Sequence, residues 1–96
     1  MSQGDDGKGF WDRADSFIQL ANDYCDQVPR GKVSASLLYA TARFNSFVVA
    51  SHASSAEEME SEKTAAVEYF VQQYRKMLEE NLEDHIQNFE GYRGSR

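Results

Sequence analysis

Twenty residues in the middle of the chain, Val33 to His52 (VSASLLYATARFNSFVVASH), are too apolar for a surface and too regular for a loop. Advancing about 100° per residue, one arc gathers Phe47, Ala40, Val33, Phe44, Leu37 and Val48. A second arc, roughly opposite, gathers Leu38, Val49, Ala42, Ala35 and Ala53. Between them on one side runs a narrow polar seam of Ser34, Thr41, Asn45 and His52. On the other side lies a band of Ser46, Tyr39, Ala50, Arg43 and Ser36. An ordinary surface helix carries one apolar stripe. Two stripes call for two partners: two helices of the same chain, or one helix and another subunit. Strand is the competing reading, given the Val, Phe and Tyr content. The apolar residues do not alternate, however, and the run is too long, so the pattern predicts a helix over 33–52.

The flanking segments have helical periods of their own. Phe10, Trp11, Ala14, Phe17, Ile18, Ala21, Tyr24, Cys25 and Val28 recur at three- and four-residue steps, predicting a first helix over about 10–27. Val28-Pro29-Arg30-Gly31-Lys32 ends it: Pro cannot continue a helix, and Gly31 permits positive φ. So short a link makes the first two helices antiparallel neighbours. Ser54-x-x-Glu57 and Ser55-x-x-Glu58 both match a capping box, which opens a third helix. The acidic run Glu57, Glu58, Glu60 then sits where the helix dipole favours acids. Met59, Ala66, Val67, Phe70, Val71, Tyr74, Met77, Leu78, Leu82, His85, Ile86 and Phe89 keep the period over about 56–89, with Gly91 and Gly94 closing it. That helix overhangs its shorter neighbours. Either it breaks near Asn81, where Asn81-x-x-Asp84 could cap a short fourth helix, or the overhang packs on a second subunit. The expected fold is all-α, an antiparallel bundle of three long helices, with a short fourth after Asn81 as the variant. Residues 1–9 are expected to be a disordered lead-in, 10–90 a single helical domain, and 91–96 a flexible tail.

Composition narrows the function. One Pro and six Gly are too little punctuation for an all-β fold. The net charge is −6. Residues 1–54 hold six Asp against five Lys and Arg; residues 55–96 hold nine Glu and one Asp against five Lys and Arg, so the acidity lies mainly in the second half. Nucleic acid and anionic membrane both ask for a basic face, and neither is an expected partner. No stretch approaches the ~20 apolar residues of a membrane span. The start, MSQGDDGKGF, has no apolar run of a signal peptide, and the lone Cys25 makes no internal disulfide. The expected location is the cytoplasm.

No motif carries chemistry. His52 and His85 lack the partners of a Glu-x-x-His or His-Glu-x-x-His site. There is no Gly-x-Ser-x-Gly elbow and no Gly-rich phosphate loop ending in Lys-Ser or Lys-Thr. Cys25 lies in an apolar stripe without a basic neighbour at helical spacing, which suits a core residue. The expectation is therefore no enzyme activity, no metal and no cofactor. The residues with the most to do are Arg43, Tyr39 one turn before it, and the seam residues Thr41, Asn45 and His52. An Arg inside an apolar helix must pair or reach solvent. Arg43, Thr41 and Asn45 could set register at an interface, as buried polar residues do in coiled coils. Alternatively, Ser34, Thr41, Asn45 and His52, with Arg43, could hold a small molecule or ion.

Three stretches, RADSFIQLAND, RGKVSASLLYATARFNSFVVA and EYFVQQYRKMLEENLEDHIQNFEGY, resemble a family of short bacterial proteins, domain-of-unknown-function family 3144. GKVSASLLYA, then ARFN, then YRKMLEENL are the specific phrases. The likeness covers about residues 10 to 92 and leaves the first nine outside. It implies a bacterial helical protein and supplies no activity and no catalytic residues. The expected function is a small interaction or regulatory protein, a homodimer through its central or last helix.

Overall fold

The structure, a computed structural model, describes residues 7–92. Three long helices follow one another: α1 (Gly7–Tyr24), α2 (Arg30–His52) and α3 (Ala56–Gln87), with a short α4 (Phe89–Tyr92) after them. No strand occurs among the described residues, so the all-α architecture of three long helices is the one the periodicity predicts. Gly7, Lys8 and Gly9, expected in the lead-in, belong to α1; residues 1–6 and 93–96 lie outside the described residues.

α1 ends at Tyr24, three residues before the predicted end at Gln27 and four before the apolar period runs out at Val28. The residue before a proline is pushed out of the α region, so the chain must leave the helix ahead of Pro29. It does so through tighter bonds: Cys25 N donates to Asn22 O at 3.0 Å, Asp26 N to Asp23 O at 3.2 Å and Gln27 N to Tyr24 O at 2.9 Å. Pro29 then serves the next helix. Its carbonyl accepts from Lys32 N at 3.0 Å and from Val33 N at 3.2 Å. α2 therefore starts at Arg30 and takes in Gly31, which has ordinary helical dihedrals. No described residue has a positive φ, so the turn does not use the freedom a glycine offers there.

The start of α3 is a capping box on the second of the two candidate serines. Ser55 is extended (φ −163°, ψ 164°), and its Oγ accepts from Glu58 N at 3.1 Å. The Glu58 carboxylate reaches back to accept from Ser54 N at 2.7 Å. The first bond satisfies a backbone donor that the opening helical turn leaves without an intrahelical partner, and the second ties the residue before the cap to the helix. Glu57 and Glu58 lie in that first turn.

α3 runs unbroken through Asn81. Asn81 does not cap: its Nδ2 donates back to Met77 O at 2.8 Å, one turn earlier in the same helix. The break comes at Asn88 instead, where φ −116° and ψ 29° depart from helical values. Asn88 N and Nδ2 both donate to Asp84 O, at 3.1 and 2.9 Å, closing α3, and Gly91 N donates to Asn88 O at 2.9 Å to open α4. The short fourth helix thus lies after Asn81 but begins at Phe89. Gly91 sits within it rather than ending α3.

The chain divides into two compact units, Met1–Phe44 and Asn45–Arg96, with the boundary inside α2. In the first, α1 and the start of α2 share no packed seam; in the second, α3 packs with α4, and the end of α2 shares no seam with α3. Val33, just after the first turn, is the one buried hydrophobic residue among those described, at 8% exposure.

Candidate interaction surface

In the first unit, Ala14 and Ala21 of α1 are half-buried, as are Cys25 and Val28 in the turn that follows it. Large side chains of the α1 stripe stand exposed: Phe10 and Trp11, whose rings meet edge-on at 4.9 Å, then Phe17, Ile18 and Tyr24. Leu20, off this stripe, is exposed too. On the first arc of α2 only Val33 is covered; Leu37 and Phe44 are exposed.

In the second unit, Phe47 on the first arc is exposed, while Val49 and Ala53 on the second are half-buried. α3 carries two adjoining apolar lines. Met59, Ala66 and Phe70 are half-buried, and the Phe70 ring meets Tyr69 edge-on at 5.2 Å. Rotated away from them, Val67, Val71, Tyr74, Leu78, Leu82 and His85 are all exposed. Their mean step of 3.6 residues keeps them within an arc of about 80°. The sequence pattern shows these as one broad apolar face, because it records periodicity and not which part of the face is covered. Finer sorting by angle separates the two lines.

Among the described residues, 21 large apolar side chains are between 36% and 68% exposed. At roughly 150–200 Å² for each such side chain, that leaves roughly 2,000 Å² of apolar surface per chain.

The polar residues singled out in α2 are placed as follows. In the first unit, Tyr39 is 68% exposed, Arg43 reaches solvent, and Thr41 Oγ1 donates to Leu37 O at 2.9 Å. The Arg43 charge is therefore not buried, and the Thr41 proton is engaged within its own helix. In the second unit, Asn45 is half-buried and His52 lies exposed in the last turn of α2, where the helix dipole favours a cation. Among the described residues no group of three or more His, Cys, Asp or Glu is placed to hold a metal ion. No described helix is long and apolar enough to cross a membrane. The ion pairs Lys8–Asp12 (3.4 Å) and Arg75–Glu79 (3.9 Å) are exposed pairs one turn apart, each of a kind that contributes a few tenths of a kcal/mol.

These features define an all-helical protein whose apolar faces are presented outward. The chain belongs to the family described as Protein of unknown function (DUF3144), whose model matches residues 10–86. It is also similar to a solved structure, the NMR structure of the protein NB7890A from Shewanella sp., at 33% identity and a TM-score of 0.76. That match covers 96% of this chain and 98% of the other. No curated protein matches the chain.

Proposed function

We propose that this chain is a small, non-enzymatic bacterial protein of the cytoplasm that acts through protein–protein contact, and that its first partner is a second copy of itself. The observation that carries this reading is that, among the described residues, one hydrophobic side chain is buried beside 21 large apolar ones that are exposed. Fixing the backbone costs roughly 1–2 kcal/mol per residue. One buried valine returns about 1.5–3 kcal/mol. Isolated helices gain little from their own hydrogen bonds, and most helical stability in proteins comes from packing an apolar face. Three well-formed helices therefore need their faces covered. The acidic balance and the missing catalytic motifs support the same reading.

A dye that fluoresces on apolar surface tests it. At micromolar protein the expected signal is no greater than that of an ordinary compact globular protein, because the faces are covered in the assembly. Strong dye binding by fully helical protein would mean that the faces stay open, and would overturn the proposal.

A further inference from the structure

The exposed line on α3 has a property that selects its occupant. From Val71 through Tyr74, Leu78 and Leu82 to His85, the steps are three, four, four and three residues. The series reads the same from either end, with Leu78 at its centre. Val67 extends it by four residues on one side and Phe89, in α4, by four on the other. We propose that this line is a self-association seam: two copies of α3 pair antiparallel about a two-fold axis through Leu78. Leu78 then meets Leu78 of the second copy, Tyr74 meets Leu82, and Val71 meets His85. This inference rests on the self-association reading above and adds the face, the direction and the register.

Charge decides the direction. Glu79, Glu80, Glu83 and Asp84 cluster just past the centre of the line. A parallel pair would set both copies of that cluster at the same height. The antiparallel pair about Leu78 sets it level with Met77, Lys76, Gln73 and Gln72 of the second copy, with Arg75 two residues beyond the level of Glu79. Arg75 and Glu79 occupy the same shoulder of the line, and like shoulders face each other across an antiparallel pair. Each Arg75 therefore comes within reach of Glu79 of the second copy, twice per dimer, by the symmetry of an isologous interface. Both side chains are exposed there: within one chain they form an ion pair at 3.9 Å and are 71% and 68% exposed. Opposed helix dipoles favour the same direction. Within α3 the line from Val67 to His85 spans about 27 Å, long enough for a two-helix seam.

Cysteine cross-linking in the full-length chain reads the register directly. In a Cys25→Ala background, Leu78→Cys is expected to form a disulfide-linked dimer on mild oxidation. Val71→Cys and His85→Cys are each expected to stay unlinked alone and to link when mixed. Self-linking of Val71→Cys at the Leu78→Cys rate would show a parallel pair and overturn the proposal. A chain with the mass of a dimer in which Leu78→Cys does not link would overturn the α3 seam while leaving self-association standing. A monomeric parent chain would remove both. A second test leaves the apolar line untouched. Arg75→Glu chains mixed with Glu79→Arg chains are expected to form mixed dimers at least fivefold in excess over a random draw, because both cross-chain pairs become opposite in sign. A random mixture would overturn the proposal.

Discussion

The melting temperature is expected to rise by about 3–4 °C for each tenfold increase in protein concentration. The reasoning starts from the exposed faces of α1, α2 and α3. If their burial comes from a second copy, unfolding is also dissociation, and mass action enters the folding equilibrium. A tenfold change in concentration is worth about 1.4 kcal/mol per dimer. At roughly 2 cal/mol/K per residue, a dimer of this chain unfolds with about 0.4 kcal/mol/K of entropy. The ratio gives the shift. Calorimetry over three decades of concentration would move the midpoint by about 10 °C, far outside error. A midpoint independent of concentration would mean that each chain is stable by itself.

The second large effect is expected at Asn81. Pro there deletes the backbone donor and the back-bond to Met77 O in mid-helix, and clashes with the preceding turn. The cost is about 3 kcal/mol or more per chain. Counted over two copies, that lowers the midpoint by roughly 15 °C. Asn81→Ala is expected to be neutral or slightly stabilising, since Ala is the better helix former. The contrast is the test. Were Asn81 the cap of a separate helix, Ala would cost about 1 kcal/mol and Pro one position later, at Leu82, would be tolerated. Denaturant midpoints of Asn81→Pro, Asn81→Ala and Leu82→Pro separate the two cases.

Most of the helices could be read from the spacing of apolar residues, because a helix must put its apolar side chains on one side whatever it packs against. The bounds were less legible where one residue can serve two structures. Asn81 followed by Asp84 looks like a cap, yet Asn81 bonds backwards within α3, while the similar pair Asp84 and Asn88 closes the helix. Gly31 resembles a turn residue and is helical. Ser54 and Ser55 both match a capping box; Ser55 is the cap and Ser54 supplies the donor to Glu58. Of the two arcs of α2, Val33 is buried and Val49 half-buried, while Leu37, Leu38, Phe44 and Phe47 are exposed. The α3 line was harder to see, because Met59, Ala66 and Phe70 adjoin Val67, Val71 and Tyr74 on one broad face, and only finer sorting by angle separates the covered line from the exposed one. Tyr39, Thr41, Arg43, Asn45 and His52 stood out because polar residues in an apolar run draw notice. Spacing could not reveal that the Thr41 proton is already engaged by Leu37 O.

The central claim is that a second copy covers the faces a single chain leaves open. Light scattering on a sizing column, across a concentration series, measures this most directly. The account predicts a mass of twice 10.9 kDa, held down to low micromolar concentration. A particle of 10.9 kDa that keeps its full helicity would contradict it.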